Sequence, residues 1–192
     1  SAHGDCEAAA KAFEQMKQDP KGLTIDVITH TSLIVAYGKA GKVDLAFDQF
    51  NTMTKKDKIE PTIVTYGALM DALSREVGRR SGNGGFKSNN KKDISYVKDA
   101  LDRVFNLRSD LQASGLQMDV RVLNCLVSAC GRAAAFEELR TDALDRAFDI
   151  VAESRRNGLF PDAITYSSLM SGCVNTGEPQ RALALHDEME TK

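Results

Sequence analysis

The stretch PDAITYSSLM at residues 161–170 has an earlier counterpart, PTIVTYGALM, at residues 61–70. In both, a proline and one polar residue lead into a segment whose apolar residues recur at helical spacing. Two more divergent copies each follow an aspartate, VITHTSLI at 27–34 and VRVLNCLV at 120–127. A sequence motif that occurs four times in 192 residues indicates a repeat protein, so we interpret the rest of the chain as repeats.

Each copy opens a repeat that contains two predicted helices. The first helix begins at this motif, and the second helix carries its own apolar stripe, as in VDLAFDQFNTM at 43–53. Neither helix could bury its apolar face alone, whereas antiparallel pairs stacked on neighbouring pairs can. The predicted fold class is therefore all-α, an α-solenoid of stacked antiparallel helix pairs. The repeats cover 27–62, 63–119, 120–162 and a truncated 163–192.

The first 26 residues are predicted to be a partial repeat that contains only a second helix. We expect this helix to begin a short step after Gly4 and to end before the linker that holds Pro20 and Gly22. Its partner helix is missing, so we expect the array to extend further toward the N terminus in a longer protein.

Two repeats carry insertions between their helices. The repeat starts are separated by 36, 57 and 43 residues, at Val27, Ile63, Val120 and Ala163. The longer insertion covers about 78–93, is rich in glycine and asparagine, and is predicted to be a mobile loop. We interpret its charge run either as a solvated surface or as a flexible clamp on a nucleic acid. The run consists of Arg79, Arg80, Lys87, Lys91 and Lys92, without an acid from 78 to 92. The shorter insertion covers about 133–141.

Composition excludes several classes of protein. A formal net charge of −2 counts against a strong, nonspecific polyanion binder. No apolar run is long enough to span a bilayer, and no signal or transit peptide is recognisable, so no membrane partner is predicted.

The chemistry-bearing residues do not form a catalytic or metal-binding pattern. The four cysteines include no CxxC pair, and the three histidines are scattered. Cys130 and Cys173 share one phase of two repeats, which predicts small buried side chains in a reducing compartment. The GKV at 41–43 lacks the spacing of a phosphate-binding loop. We therefore predict no enzyme activity in this chain, no metal and no cofactor.

Several residues match one family of helical repeats. The chain has no Trp, a residue typical of the first helix of tetratricopeptide repeats. It has instead Pro-Asp before a first helix, Thr-Tyr near its start, GKAGK between helices at 38–42, and Met53 in a second helix. In these features the chain resembles the pentatricopeptide repeat family, over its whole length apart from the insertions. It departs from that pattern at Met118, Arg121 and Leu123.

The resemblance implies that the partner is single-stranded RNA, in a mitochondrion or plastid, with about one base read per repeat. The family reads bases with the fifth residue of the first helix and the last residue of the repeat. The matching residues are Thr31, Thr62, Gly67, Asp119, Asn124, Asp162 and Ser167. Asn124 with Asp162 matches the uracil-preferring pair, and Thr31 with Thr62 leans toward a purine. Gly67 has no side chain to read with. Each residue is also open to interpretation as a helix cap or a surface polar group.

Two further sets of residues complete the predicted site. The family sandwiches each base between aliphatic residues at the second position, where Arg121 could stack its guanidinium instead. These residues are Ile28, Val64, Arg121 and Ile164, and the alternative for them is packing between repeats. Independently of the base code, the thirteenth position of three repeats is cationic, which suits a phosphate backbone. These residues are Lys39, Arg75 and Arg132, followed by Asn175 in the fourth repeat. Cations are also common at helix C termini, where the dipole favours them.

Three functional hypotheses remain open from the sequence. The leading one is sequence-selective binding of single-stranded RNA, as part of an organellar factor for RNA processing, stability or translation. The second is a scaffold for protein partners, with self-association through the unfinished repeat ends as a further expectation. The third is the RNA-binding part of an RNA-cleaving or RNA-editing enzyme whose catalytic domain lies elsewhere.

Overall fold

The computed structural model describes residues 2–18, 24–81 and 91–190, with side chains described from Cys6 to Met189 apart from the two gaps. The regular elements of these residues are helices, arranged as the antiparallel pairs of an α-solenoid. Two compact units are present, Ser1–Ala72 and Leu73–Lys192. The helices are α1 (Ala2–Gln18), α2 (Val27–Ala40), α3 (Val43–Asn51), α4 (Ile63–Ser81), α5 (Lys91–Ala113), α6 (Val120–Ala133), α7 (Arg140–Arg156), α8 (Ala163–Thr176) and α9 (Pro179–Glu190).

The first helices α2, α6 and α8 begin where the sequence places an aspartate. The carboxylates of Asp26, Asp119 and Asp162 each accept a hydrogen bond from the backbone N–H three residues on, at 2.8, 2.8 and 2.9 Å. Such a cap satisfies an otherwise unpaired donor and stabilises a helix by about 1 kcal/mol. At their other ends α2 and α8 stop at Gly41 and Gly177, whose φ angles of 77° and 76° are left-handed. These two signals explain why the repeat starts can be located from sequence.

In the unit Ser1–Ala72, helix α2 lies between α1 and α3. A π-helical turn, Thr52–Lys56, continues α3. The interior consists of side chains that recur at spacings of three and four on these helices. They include Phe13, Leu33, Ile34, Val43, Ala46 and Met53.

In the unit Leu73–Lys192, helix α6 packs against α5, α7 and α8, and α9 packs against α8. The two first helices α6 and α8 approach at Gly131, where an added Cβ would lie 2.6 Å from the carbonyl oxygen of Ser168. Burial of Cys130 and Cys173 on this inner side is confirmed. The interior also includes Leu101, Leu111, Leu126, Leu144 and Leu169.

Three predicted boundaries are wrong. Helix α1 begins at Ala2 and includes Gly4, so it does not start after that glycine. The predicted loop from 78 to 92 is helical at both ends, because α4 continues to Ser81 and α5 begins at Lys91. Lys87 and the rest of 82–90 lie outside the described residues.

The extension of α4 has a local cause. Arg79 and Arg80 each donate to the Glu76 carboxylate one turn earlier, at 2.9 and 3.1 Å. The Arg80 guanidinium also reaches Asp93 at 2.9 Å and stacks 3.8 Å from the ring centre of Tyr96. Two of the five predicted cations of the loop are therefore engaged with α4 and α5.

The shorter insertion also contributes to the interior. Between α6 and α7 the chain forms a 3₁₀ turn, Glu137–Leu139, and buries the side chains of Phe136 and Leu139. No described helix has both the length and the apolar character that a membrane span requires.

Candidate nucleic-acid interface

The second position of three first helices carries an apolar side chain that is exposed to solvent. Ile28, Val64 and Ile164 expose 69%, 44% and 59% of their surface, while the next residues, Thr65 and Thr165, are fully buried. Arg121 is exposed at the same position of α6. These side chains are therefore accessible to solvent, and their packing against bases stays a prediction. Large exposed aliphatic groups at one phase are available to an apolar surface from outside.

The residues predicted to read a base in the third repeat lie in contact. The Asn124 amide nitrogen donates to Asp162 Oδ2 at 2.9 Å, and the Thr165 hydroxyl donates to Asn124 Oδ1. We call these three residues the Asn124 junction. Burial alone would raise the pKa of Asp162, but hydrogen bonds from the Thr165 backbone and from Asn124 hold it below its usual value. The carboxylate is therefore ionised at neutral pH and can only accept hydrogen bonds.

The equivalent residues of the first complete repeat are linked in the same order. The Thr31 hydroxyl lies 2.8 Å from that of Thr65, which lies 3.2 Å from that of Thr62. We call these residues the Thr31 junction. Thr31 is buried, with 8% of its surface exposed, whereas Asn124 is half-buried. The Thr31 junction contains three hydroxyls and no charge, so any of its oxygens can act as donor or acceptor.

The remaining predicted readers are less well placed. Gly67 is buried and carries no side chain, in keeping with the expectation that it is silent. Asp119 uses its carboxylate to cap α6. Ser167 is exposed on α8.

The predicted phosphate contacts differ among themselves. Lys39 and Arg75 are exposed. Arg132 is exposed too, but its guanidinium donates to the Ser74 carbonyl and hydroxyl, at 2.8 and 2.9 Å. Part of its donor capacity is thus spent within the protein.

The thirteenth position has a structural role that sequence reasoning missed. Both Arg132 and Asn175 donate to the carbonyl of the twelfth residue in the preceding repeat, Ser74 and Gly131 respectively. The shared polarity of Arg and Asn at this position is the signal that could have revealed it. Arg132 therefore has a contact within the protein besides its phosphate role, which stays a prediction.

The third position was also missed. Thr65 and Thr165 each link the fifth residue of one repeat to the last residue of the same repeat. The recurrence of Thr at this position in three of four repeats, with Val122 as the exception, was the available signal.

Acidic residues are distributed unevenly among the helices. Helices α2, α6 and α8 contain none, and α4 carries two acids against three arginines. The acids of the chain therefore lie mainly on second helices and loops, and the net charge of −2 conceals first helices that are neutral or basic. Within the described residues, no group of three or more His, Cys, Asp or Glu side chains could hold a metal ion.

Comparison with known proteins agrees with this repeat geometry. A model of the pentatricopeptide repeat domain matches residues 13–76, and a model of the single repeat matches residues 164–192. Residues 13–76 and 164–192 are therefore pentatricopeptide repeats. Both matched regions share the features typical of this family, from Thr-Tyr in the first helices to the glycines that end them.

Relatives of the chain include pentatricopeptide repeat-containing proteins of Arabidopsis thaliana. One, named as chloroplastic, is 24% identical over 139 residues, which is 72% of this chain and 23% of the relative. Another, named as mitochondrial, is 31% identical over 75 residues, which is 39% of this chain and 10% of the relative. The chain thus spans less than a quarter of the length of either relative.

A solved structure supports the fold. The pentatricopeptide repeat domain of Arabidopsis thaliana protein-only RNase P 1, determined in complex with tRNA, superposes with a TM-score of 0.66 at 14% identity. The match covers 98% of this chain and 82% of that domain. At this identity the likeness shows the fold.

Proposed function

We propose that this chain is a sequence-selective binder of single-stranded RNA and forms part of an organellar factor for RNA processing, stability or translation. The observation that carries the proposal is the exposed aliphatic side chain of Ile164 beside the Asn124 junction. Ile164 presents an apolar surface next to Thr165, and Asn124 presents an amide, so one nucleobase would meet both an apolar face and a hydrogen-bonding edge.

The energetics favour weak binding by this chain alone. Stacking or packing of a base contributes roughly 1–3 kcal/mol, and three or four such contacts would be largely offset by the free energy of association. We therefore expect a dissociation constant in the micromolar range or weaker.

Charge supports RNA over other ligands. Helices α2 and α6 contain no acids and expose Lys39 and Arg121, while Arg75 is exposed on α4, which carries more arginines than acids. These cations would let a phosphate backbone approach despite the net charge of the chain. The organellar part of the proposal draws on relatives named as chloroplastic and mitochondrial.

The test is fluorescence anisotropy with labelled ten-nucleotide RNA homopolymers at two salt concentrations. We expect Ile164→Asp to weaken binding of every homopolymer at least tenfold, because it places a carboxylate against the base and the phosphates. Leu183→Asp is the matched control, since Leu183 is a comparably exposed aliphatic residue (65%) on the second helix α9. Its binding should match that of the unaltered chain.

Two results would overturn the proposal. One is the absence of RNA binding at low salt, which would favour a scaffold for protein partners. The other is an equal loss of binding in both variants, which would mean that Ile164 does not lie on the RNA surface.

A further inference from the structure

We infer that Thr165 is a positioning residue that fixes which end of the Asn124 amide faces the base, and thereby sets discrimination between uracil and cytosine. The inference rests on the proposed RNA-binding function and adds a residue to it. It starts from the fully buried Thr165 side chain, whose hydroxyl lies within hydrogen-bond distance of both Asn124 Oδ1 and Asp162 Oδ1.

The hydroxyl has one proton, and the contacts indicate where it goes. Asp162 Oδ1 already accepts the Thr165 backbone N–H at 2.9 Å, and the hydroxyl lies 3.1 Å from that oxygen. The approach to Asn124 Oδ1 is shorter, at 2.5 Å. The Thr165 proton therefore belongs on the bond to Asn124.

Two neighbours then hold the amide in one orientation. The ionised carboxylate of Asp162 can only accept, so it requires the amide nitrogen of Asn124 on its side, at 2.9 Å. The Thr165 hydroxyl, as a donor, requires the amide oxygen on the other side. A 180° flip of the amide would place its oxygen against the carboxylate and lose the bond to Asp162, and it would require the Thr165 hydroxyl to turn its proton away and accept the amide N–H instead.

A fixed amide can tell the two pyrimidines apart. After these bonds, one N–H and one lone pair of the Asn124 amide remain for a ligand. Uracil presents an N–H donor beside a carbonyl acceptor, whereas cytosine presents a ring-nitrogen acceptor beside an amino donor. An amide that can flip satisfies either edge, and an amide that is held satisfies only one of the two in a given pose.

The Thr31 junction lacks this property. Thr65 contacts two hydroxyls there, and each of the three can rotate its proton. The same central threonine therefore fixes the order of donor and acceptor only where its partners are an amide and a carboxylate.

The experiment compares dissociation constants of the chain for ten-nucleotide oligo(U) and oligo(C), because a homopolymer offers the same base in every register. Thr165→Val removes the hydroxyl while retaining the branched shape and the backbone cap to Asp162. We expect the unaltered chain to prefer one pyrimidine about tenfold, and Thr165→Val to reduce that preference at least threefold. Thr165→Ser should restore it, and Thr65→Val, which alters the equivalent buried threonine, should leave it unchanged.

The outcomes separate this inference from the proposed function. Absence of RNA binding by the unaltered chain would overturn the proposed function itself. Binding with equal affinity for oligo(U) and oligo(C), or a preference that survives in Thr165→Val, would leave RNA binding standing and overturn the role of Thr165.

A measurement without RNA covers the case in which Thr165→Val does not fold. NMR relaxation of the Asn124 side-chain amide in the unaltered chain should give an order parameter close to that of the backbone. An order parameter as low as that of a solvent-exposed asparagine would overturn the inference, because it would show that the amide is not held.

Discussion

The Asn124 junction and the Thr31 junction use the same three positions of the repeat with different chemistry. In both, a buried threonine at the third position bridges the fifth residue and the last residue of the preceding repeat. In one, its partners are an amide and a carboxylate, and in the other they are hydroxyls. The comparison shows that the solenoid brings the same three positions into contact in both junctions. The residues at the fifth and last positions then decide whether a junction has a fixed order of donors and acceptors.

Close approach of the first helices underlies both junctions, and altering it should produce the largest effect. A Cβ added at Gly131 would lie 2.6 Å from the Ser168 carbonyl oxygen, and one at Gly38 would lie 2.8 Å from the Ala72 Cβ. We expect Gly131→Ala to lower the free energy of unfolding by about 1–3 kcal/mol, because a backbone atom must move to make room. Urea unfolding followed by circular dichroism measures it.

Gly78→Ala is the control for this prediction. The nearest atoms to its added Cβ, at 3.0–3.4 Å, belong to the flexible side chain of Arg132, which can shift. Alanine is also preferred over glycine in a helix by about 1 kcal/mol, so stability should be unchanged or slightly increased. If Gly131→Ala were as well tolerated as Gly78→Ala, the close approach of α6 and α8 would be wrong.

The repeat framework was predictable from sequence because its signals are local. Caps act within a few residues, so the aspartates before Val27, Val120 and Ala163 and the threonine before Ile63 allowed these residues to be placed as the starts of helices. The end of α4 could not, because it depends on Arg80 meeting Asp93 and Tyr96 across a gap in the pattern. Contacts between residues so far apart in the chain produce no periodic pattern in the sequence.

The candidate site was predictable in position and less so in chemistry. Family positions identified Asn124 and Asp162, and their direct contact agrees with a paired role. The bridging role of Thr165 and the contact of Arg132 with Ser74 depend on which side chains meet between repeats. Composition and spacing within one repeat carry no information on such contacts.

The second prediction rests on the difference in charge between the two junctions, since only the Asn124 junction contains a carboxylate. We expect Asn124→Ala to lower the free energy of unfolding by about 1 kcal/mol at pH 7, and Thr31→Val by roughly half of that, because Thr65 retains Thr62 as a partner. Asp162 has a lowered pKa in the fold, so its contribution is present above the ordinary value of 3.8 and is lost as pH falls through the folded pKa.

The two variants should therefore differ in their response to acid. The difference in stability between Asn124→Ala and the unaltered chain should shrink below about pH 3.8, whereas that of Thr31→Val should not change. Urea unfolding between pH 7 and pH 3 measures both. A cost of Asn124→Ala that does not decrease at all between pH 7 and pH 3 would show that its hydrogen bond to the Asp162 carboxylate contributes little.

The smallest expected effect concerns the residue that precedes the reader, which is His30 beside Thr31 and Leu123 beside Asn124. His30 is fully buried, with Gln49 2.7 Å from Nδ1 and Asp57 3.2 Å from Nε2. Burial lowers the pKa of His30, and Asp57 opposes that effect without reversing it.

A histidine with a lowered pKa in the fold binds its proton first in the unfolded chain. Stability should therefore decline as pH falls below 6.5, the ordinary value, toward the lower folded pKa, and the Asn124 junction should add nothing in that window. We expect the urea midpoint to fall modestly from pH 7.5 to 5.5, and His30→Gln to remove most of that slope. His186→Gln is the control, because His186 is half-exposed on α9 and its loss should leave the slope intact. An equal slope in His30→Gln would mean that the buried imidazole is not the group that titrates, and the two junctions would then differ in acid only through Asp162.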